Sequence, residues 1–440
     1  MSILLPFPVL RVLILLLALS AFAGPAAGKP SAESFDGSFL LDTGELITGG
    51  YFVEDGKGRF LYMDTARLGK GGLFERTGDT RLRSILPSQA VELEFVAGDN
   101  ATLDTLVWME AGREPIRGAR VHRHHSRPAR FRSGDGTELQ GRLLTPDCAG
   151  PHPVVVSVHG SGPVNRYGGP YQTFFLAQGL AVLAYDKRGY TDDRAAWREP
   201  GLAELSADVQ AAVQWAATQP ELDDKRLGVV GSSQAGWVVP RAAMAAPGAA
   251  FIILRAGAAT SQLETVLHEV RQELRAKGME GRDLDYAMDL RREIYETAMR
   301  GEPIDATDSL VAPYLDQPWY PTAFGEGPIS RRWSPHWWAW ARDNLAVAAT
   351  PHLERFDGRV LWFLAGADEN VPLVPTRAAL ERAFAASPGD DQRVVVLPGA
   401  DHAFLLHDAD GSPRFSPGYF DRMAAWLAER GLSRADCRQQ

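Results

Sequence analysis

The sequence predicts an α/β protein in which a doubly wound, mostly parallel sheet carries a helical cap insertion and follows a β-rich N-terminal domain. From residue 130 onward, short aliphatic strands alternate with helical patterns, which is typical of a parallel sheet covered by helices. Residues 260–350 break that rhythm, because they contain long charged helices and no convincing strand. Before residue 130, short alternating runs are separated by turn residues, a pattern that indicates β-hairpins.

Length and composition indicate a folded protein with more than one part. The 440 residues exceed the size at which a single hydrophobic core usually stops growing. The apolar fraction of 45% and the charged fraction of 23% are ordinary for globular proteins. The chain has 46 Lys and Arg residues and 55 Asp and Glu residues, which give a net charge of −9. It therefore lacks the positive electrostatic potential that attracts nucleic acids or anionic membranes. We therefore expect no nucleic-acid partner.

The first residues have the layout of a secretory signal. A single charge at Arg11 precedes an apolar run at residues 12–19 and the small-residue end Ala21-Phe22-Ala23. This pattern predicts a signal peptide at residues 1–23, with cleavage before Gly24 and export to the periplasm or the extracellular space. The run is too short to span a bilayer, and no cysteine follows it to carry a lipid. We expect no stable membrane insertion after cleavage.

Residues 34–127 are predicted to form a β-rich accessory domain. The stretch Val91-Glu92-Leu93-Glu94-Phe95-Val96 alternates between apolar and acidic side chains over most of its length, as a half-buried strand does. Three histidines near the end of this region are conceivable metal ligands, namely His122, His124 and His125. No carboxylate or cysteine accompanies them at ligand spacing. We therefore predict solvated strand residues and no metal.

The main domain is predicted at residues 130–432, with the cap at residues 260–350 inserted between two of its strands. It opens with a hairpin around Gly134-Asp135-Gly136-Thr137. The candidate buried strands are six short apolar runs at residues 154–158, 181–185, 227–230, 251–254, 360–365 and 393–397. Cys148 lies near the start of this domain and Cys437 just beyond its end. They either pair, as in an oxidising compartment, or remain free buried thiols.

One candidate nucleophile, Ser233, follows a predicted strand. The strand runs into Gly231-Ser232-Ser233-Gln234-Ala235-Gly236 and then into a helical pattern, the context of a nucleophile elbow. A serine in such a strained turn needs very small residues two positions away, so that strand and helix can approach. Gly231 meets this demand, whereas Ala235 stands where glycine is usual. The alternative is an ordinary serine in a loop.

A second strand ends in His159-Gly160-Ser161-Gly162-Pro163. Backbone amides in this glycine-rich loop are candidates for stabilising a developing oxyanion. The two predicted donors are the N–H of Gln234, which follows the nucleophile, and the N–H of Ser161. We interpret His159 as a residue that braces the loop, because it precedes the nucleophile and follows the wrong strand for a general base.

Asp368 and His402 complete a predicted triad. Each directly follows a late strand, and the order Ser, Asp, His is that of one class of hydrolase triads. Loops at the carboxyl ends of strands are where ligands meet open α/β sheets. The D-x-x-V-P context favours Asp368, and the position after the last strand favours His402. The residues that could replace them are Glu369, Asp401, His407 and His336.

Together these motifs resemble the α/β-hydrolase family, specifically the bacterial serine esterases and the prolyl-oligopeptidase-like hydrolases. The similarity covers residues 131–432. Dienelactone hydrolases are similar in fold but use cysteine, so Ser233 argues against that branch. The residues that carry the resemblance are His159-Gly160-Ser161-Gly162-Pro163, Tyr185-Asp186-Lys187-Arg188-Gly189-Tyr190, Gly231-Ser232-Ser233-Gln234-Ala235-Gly236, Asp368-Glu369-Asn370-Val371-Pro372 and Asp401-His402.

The resemblance implies a serine hydrolase that acts on a small-molecule ester through an acyl-enzyme, with no metal and no organic cofactor. A peptide substrate, hydrolysed by a peptidase of prolyl-oligopeptidase-like or aminopeptidase type, is the alternative. Acyl transfer to an acceptor other than water is another. A binding protein that keeps the fold without catalysis is the weakest, because all three triad residues are present.

The cap contains a dense group of aromatic residues, of which Trp333, Trp337 and Trp338 are candidates for lining an acyl pocket over Ser233. The alternative is that these large aromatic rings only pack the cap onto the sheet, because aromatic side chains dominate packing wherever they occur. If the substrate is a peptide, a cap carboxylate such as Glu269 or Glu273 would hold its free amino terminus, because a buried ammonium needs a partner.

Overall fold

The computed structural model describes residues 30–54, 57–64, 71–85, 90–98, 102–190, 200–245, 248–409 and 413–437. The predicted signal peptide at residues 1–23 lies outside the described residues. The strands are β1 (Gly37–Leu41), β2 (Leu46–Glu54), β3 (Lys57–Asp64), β4 (Gly71–Arg76), β5 (Arg81–Ser84), β6 (Val91–Ala97), β7 (Leu103–Glu110), β8 (Ile116–His122), β9 (His124–Arg132), β10 (Glu138–Pro146), β11 (His152–Val158), β12 (Ala181–Tyr185), β13 (Leu222–Ser232), β14 (Ala249–Arg255), β15 (Arg359–Ala365), β16 (Gln392–Leu397), β17 (Leu405–His407) and β18 (Pro413–Phe415).

The α-helices follow the strands of the second half of the chain or lie between them. They are α1 (Pro170–Ala177), α2 (Leu202–Ala217), α3 (Ala235–Ala245), α4 (Gln262–Ala276), α5 (Gly281–Met299), α6 (Ala306–Val311), α7 (Tyr320–Phe324), α8 (Pro335–Asn344), α9 (Thr350–Leu353), α10 (Leu373–Ala386) and α11 (Tyr419–Glu429). In the described part of the chain, no helix is long and apolar enough to cross a membrane.

Strands β1 to β8 form a closed antiparallel barrel. The barrel closes through β1, which pairs with β2 on one side and with β8 on the other. Along β6, Val91, Leu93 and Phe95 are buried, and the glutamates between them are less buried, because successive side chains of a strand point to opposite faces. These apolar residues form one hydrophobic core with Phe39 and Phe74.

The second sheet confirms the predicted α/β architecture. Its strand order is β16-β15-β14-β13-β11-β12-β10-β9. Strands β9 and β10 form the predicted hairpin, and β10 also runs antiparallel to β12. The pairings from β12 to β16 are parallel. Helices α2, α3 and α10 cover one face, and α1 and α11 cover the other. Burial on both faces explains why these strands are aliphatic throughout.

Helices α4 to α8 lie between β14 and β15, within the interval where the sequence predicts a cap. They form a hydrophobic core that includes Leu267, Ile294, Tyr320 and Trp338. Most charged residues of α4 and α5 lie on the faces away from this core, as amphipathicity requires. The insertion leaves the sheet directly after Arg255, on the strand that neighbours the one leading to Ser233.

The barrel contacts the sheet through buried polar groups. Arg142 of β10 and Asp36 form an ion pair at 3.3 Å, with side chains 3% and 4% exposed. Arg142 also donates to Oε1 of Gln172 in α1 at 2.5 Å. The hydroxyl of Thr173 donates to the carbonyl of Gly49 in β2 at 3.0 Å. Breaking a buried ion pair typically costs about 3–5 kcal/mol, so these contacts fix the barrel on α1.

Cys148 and Cys437 form a disulfide, with their Cα atoms 5.6 Å apart and a sequence separation of 289 residues. His152 Nδ1 lies 3.9 Å from Cys148 Sγ, so the three side chains have the spacing of a metal site. The sulfur–sulfur bond makes both thiols unavailable as thiolate ligands. In the chain-entropy picture, closing so long a loop stabilises the folded state by roughly 5 kcal/mol.

Candidate active site

Ser233 occupies a sharp turn between β13 and α3. The strand ends at Ser232 and the helix begins at Ala235. Ser233 has a φ of 53°, a left-handed conformation that residues with a side chain rarely adopt and that is enriched at functional sites. Its N–H donates to the carbonyl of Arg255 at the end of β14, at 3.0 Å. The neighbouring strand therefore holds the turn in place.

The small residues around Ser233 explain how this turn can form. A Cβ on Gly231 would lie 2.4 Å from the Cβ of Ala235, so only one of these two positions can carry a methyl group. A Cβ on Gly236 would lie 2.6 Å from the carbonyl oxygen of Ala258. Alanine at position 235 is therefore compatible with the turn because Gly231 and Gly236 remain glycine.

His402 and Asp368 meet at the edge of the sheet where β15 and β16 end. His402 Nδ1 lies 2.9 Å from both carboxylate oxygens of Asp368. The Asp368 side chain is 2% exposed, and its Oδ1 also accepts the N–H groups of Asn370 and Val371 at 2.9 Å. Because Nδ1 is engaged with the carboxylate, Nε2 is the ring nitrogen left for a different partner.

The residues that the sequence offers as substitutes are placed differently. Asp401 accepts two backbone N–H groups of its own turn, and its Oδ2 lies 3.0 Å from His407 Nε2. Glu369 is exposed beside Asp368, and His336 is exposed on α8. Within the described chain, none of these four lines the cavity that contains Ser233.

Ser233 and His402 line one cavity of about 680 Å³, together with Gly160 and Ser161. A Cβ on Gly160 would lie 3.5 Å from the Cβ of Ser233, so the glycine-rich loop after β11 passes within one side-chain carbon of contact with the serine. Asp368 lies behind His402, and Gln234 directly follows Ser233. The other walls are mostly apolar and include Leu73, Val158, Val164, Tyr171, Phe404, Leu405 and Phe415.

Two observations together identify the fold. The strand order and the strand-turn-helix serine agree with a match of residues 135–334 to the family model for X-Pro dipeptidyl-peptidase (S15 family). The chain has the α/β-hydrolase fold. The matched region is less than half of the chain and ends before Asp368 and His402. The match therefore does not identify the activity or the substrate of this chain.

The chain is similar to several known proteins. Two uncharacterised proteins from strains of Mycobacterium tuberculosis are each 29% identical over 119 residues, which are 27% of this chain and 41% of theirs. The chain thus spans about two fifths of the length of these curated relatives. Among solved structures, an acylaminoacyl peptidase from Pyrococcus horikoshii is 16% identical, with 87% of this chain and 56% of that chain covered and a TM-score of 0.44. A Pyrococcus furiosus esterase is 14% identical, with coverage of 70% and 90% and a TM-score of 0.43.

The N-terminal barrel contributes to the cavity. Gly72 and Leu73 of β4 line it, as do Pro413 and Phe415 of β18. Strands β4 and β18 also contact each other. The accessory domain, for which the sequence suggests no role, therefore forms part of the wall opposite the sheet. Strand β4 and Ser233 are far apart in the sequence, and no local sequence pattern predicts that they line the same cavity.

The prediction that Trp333, Trp337 and Trp338 line a pocket over Ser233 needs correction. Within the described residues, none of the three lines this cavity. The rings of Trp333 and Trp337 lie 4.6 Å apart, and the Trp337 ring lies 5.6 Å from that of Tyr295 in α5. Trp338 is buried and donates its Nε1–H to the carbonyl of Glu302 at 2.8 Å. These rings pack α5 against α8, because an insertion of charged helices needs large apolar groups for its own core.

Lys187 is a residue near the site that sequence reasoning missed. Its side chain is buried, and Nζ donates to the carbonyl of Gly160 at 2.8 Å and to Oε1 of Gln234 at 2.7 Å. Lys187 therefore ties the glycine-rich loop to the turn that holds the nucleophile candidate. Burial lowers the pKa of Lys187 to about 7. The sequence feature that could have indicated Lys187 is the motif Tyr185-Asp186-Lys187-Arg188, which is generally structural in the family that the sequence resembles.

His159 holds the glycine-rich loop from another side. Its Nε2 lies 2.5 Å from the carbonyl oxygen of Tyr185. Burial, followed by the charge of Lys187, lowers the pKa of His159 to about 4, so the ring is neutral near pH 7 and Nε2–H donates to the carbonyl. With its proton committed in this way, Nε2 is not free to accept one from Ser233.

We expect Lys187→Met to lower kcat for ester hydrolysis by about tenfold to a hundredfold with little change in KM. The lysine contacts both segments that carry candidate oxyanion donors, and small displacements of positioned groups cost factors of this size. Steady-state kinetics measures the effect. Lys225→Met, on an exposed lysine of β13, is the matched control. A wild-type kcat in Lys187→Met would contradict the positioning role.

The same variant should change how stability depends on pH. In the unfolded chain the pKa of Lys187 is the usual lysine value of 10.5, whereas burial lowers its pKa in the folded protein to about 7. Between these values the unfolded state binds more protons, so the contribution of Lys187 to stability increases as pH rises from about 7 to about 10. We expect the free energy of unfolding, measured with denaturant, to increase from about pH 7 to about pH 10 by more in the wild type than in Lys187→Met.

Proposed function

We propose that the protein is a serine hydrolase that cleaves a carboxylic ester through an acyl-enzyme. One observation carries the proposal: Ser233, in its left-handed turn, lines the same cavity as His402, whose Nδ1 lies 2.9 Å from Asp368. A nucleophile, a base and a carboxylate that orients the base are the groups that acyl transfer requires.

In the first half of the cycle, His402 Nε2 takes the proton of Ser233 Oγ as this oxygen attacks the ester carbonyl. Asp368 keeps the proton of the imidazole on Nδ1 and stabilises the imidazolium that forms. The negative charge that develops on the carbonyl oxygen is stabilised by the N–H of Gln234 and by an N–H of the glycine-rich loop, at Ser161. Lys187 holds these two segments at a fixed separation.

In the second half, His402 gives its proton to the leaving alcohol as the carbon–oxygen bond breaks, which leaves the acyl group on Ser233. Water then loses a proton to His402 and attacks the acyl carbonyl, and the acid leaves as Ser233 regains its proton. Every step uses side chains and backbone amides of this chain. The mostly apolar walls lower the local polarity and so strengthen the electrostatic interactions inside the cavity.

A fluorophosphonate probe and a substrate panel test the proposal. The probe should label wild-type protein and fail to label Ser233→Ala. Among substrates, p-nitrophenyl esters should be hydrolysed with a higher kcat/KM than aminoacyl and peptidyl p-nitroanilides. Absence of labelling would support a binding protein without catalysis, and faster turnover of the anilides would favour the peptidase.

Glu269 of α4 favours the peptidase as a second candidate. Burial raises the pKa of Glu269, and the charges of His402 and Asp368 also act on it. A cap carboxylate thus lies within electrostatic range of the proposed base, where it could bind the ammonium of a peptide amino terminus. Glu273, the other carboxylate suggested by the sequence, instead pairs with Lys277 at 2.5 Å on the exposed side of the helix.

If the peptidase candidate is correct, Glu269→Gln should lower kcat/KM for aminoacyl nitroanilides by about tenfold or more, because a partly buried ammonium would lose its partner. Hydrolysis of neutral esters should change far less. Glu273→Gln is the matched control on the same helix. Equal losses for esters and anilides would remove the support that Glu269 gives to this candidate.

A further inference from the structure

Arg255 stands next to the proposed nucleophile and reaches into the same cavity. It is the last residue of β14 and is paired in register with Ser232 of β13. Its carbonyl accepts the N–H of Ser233 at 3.0 Å. Its side chain is partly buried and lines the cavity together with Ser233 and His402. Nothing in the mechanism above uses this guanidinium.

The charge of Arg255 is not matched by a carboxylate of the described chain. Of the described residues that line the cavity, Arg255 is the one with a permanent charge, and none is an aspartate or a glutamate. The groups that act electrostatically on Arg255 are the phenols of Tyr171 and Tyr419. Other arginines near this sheet edge differ, since Arg166 pairs with Asp186 and Arg188 with Asp208.

Aromatic rings hold the guanidinium in one orientation. Its Cζ lies 3.6 Å from the centre of the Tyr171 ring. Tyr419, which also neighbours the guanidinium, stacks on Phe404 with ring centres 4.6 Å apart. Stacking on a ring engages the flat face of a guanidinium, and the hydrogen bonds to the phenols of Tyr171 and Tyr419 use only some of its five N–H donors, so edge donors remain for a further acceptor. Those donors have the fork geometry that matches a carboxylate.

We propose that Arg255 binds a carboxylate of the substrate, so that the preferred substrate is an ester that carries a second, anionic carboxylate group. This inference rests on the proposed ester hydrolysis and names its substrate class. A cation in a cavity with mostly apolar walls is costly unless an anion pairs with it. A substrate carboxylate removes that cost, whereas a neutral substrate of the same length leaves it in place. Binding through Arg255 therefore favours the anionic ester.

Two matched pairs of esters distinguish the side of the scissile bond that carries the carboxylate. On the acyl side, p-nitrophenyl hydrogen glutarate is compared with its methyl ester. On the alcohol side, the acetate of p-hydroxybenzoate is compared with the acetate of methyl p-hydroxybenzoate. The kcat/KM of each ester is first divided by its rate of non-enzymatic hydrolysis, so that differences in intrinsic reactivity cancel. The wild type should then favour the anionic member of one pair by about tenfold or more, as a bidentate charge-assisted contact allows.

Variants of Arg255 test whether this residue causes the preference. Arg255→Gln should bring the anionic-to-neutral ratio close to one, and Arg255→Lys, which keeps the charge without the fork, should give an intermediate ratio. Arg377→Gln, on an exposed arginine of α10, is the matched control and should keep the wild-type ratio. An undiminished ratio in Arg255→Gln would overturn the proposal. If that variant does not fold, the ratio in Arg255→Lys decides.

Binding gives a readout that does not depend on turnover. Glutarate should raise the Tm of the wild-type protein more than its uncharged diamide does, and Arg255→Lys should reduce the difference. Hydrolysis of neutral esters with no carboxylate preference, and equal Tm shifts, would reject the role of Arg255 while the proposed function stands. Absence of both ester hydrolysis and fluorophosphonate labelling would reject the proposed function, and the Tm comparison would then decide on Arg255 by itself.

Discussion

Replacing Ser233 with alanine should lower kcat for ester hydrolysis by about 10⁴-fold or more. The substitution removes the oxygen that would form the acyl-enzyme and leaves the candidate oxyanion donors in place. Alanine also has a Cβ, so it meets the same backbone restriction at a φ of 53° as serine does. Kinetics on a p-nitrophenyl ester measures the loss, and denaturant unfolding should show stability within about 1 kcal/mol of the wild type.

The neighbouring serine provides the control for this experiment. Ser232 is the last residue of β13 and lines the same cavity, but it does not have the positive φ of Ser233. Ser232→Ala should lose far less activity than Ser233→Ala. If Ser233→Ala kept more than about a tenth of the wild-type rate, its role as the nucleophile would have to be abandoned.

The strands of the sheet were predictable because burial on both faces makes their sequences distinctive. The strand predicted at residues 360–365 consists of aliphatic and aromatic residues, and β15 in the structure is longer by one residue, Arg359. Asp368 and His402 were predicted as partners from their order and from their positions after β15 and β16. Those features require only that parallel strands end at one edge of a sheet. Short-range pattern and topology were sufficient for both inferences.

Contacts between distant segments were not predictable in the same way. The position of Leu73 in the cavity wall depends on how the barrel packs against α1 and β18. Density of aromatic residues suggested a pocket at Trp333, but such density equally marks a local core, and the rings pack against Tyr295. In the sequence, Lys187 and Arg255 do not differ from other charged residues near strand ends. Their roles depend on tertiary contacts: Lys187 bonds to Gly160 and Gln234, and Arg255 has no carboxylate beside it among the described residues that line the cavity.

Asp368→Asn is expected to lower kcat by about 10⁴-fold, an effect close to that of removing the nucleophile. In the wild type, the carboxylate accepts a hydrogen bond from the Nδ1–H of His402, with Nδ1 and Oδ1 2.9 Å apart. The Asp368 Oδ1 atom is also the acceptor for the N–H groups of Asn370 and Val371. In the variant, these two N–H groups keep the amide oxygen as their acceptor, which turns the amide nitrogen toward His402. The ring then carries its proton on Nε2 and cannot take the proton of Ser233.

The neighbouring carboxylates make this prediction specific. Glu369→Gln changes an exposed side chain, and Asp401→Asn weakens a turn that pairs with His407. Both should cost far less activity than Asp368→Asn, because neither carboxylate contacts the Nδ1 of His402. Kinetics of the three variants, together with the rate of fluorophosphonate labelling, separates the roles. A larger loss in Asp401→Asn than in Asp368→Asn would transfer the orienting role to Asp401. Slow but complete labelling of Asp368→Asn would indicate that Ser233 is intact and that its activation by His402 is what the substitution removes.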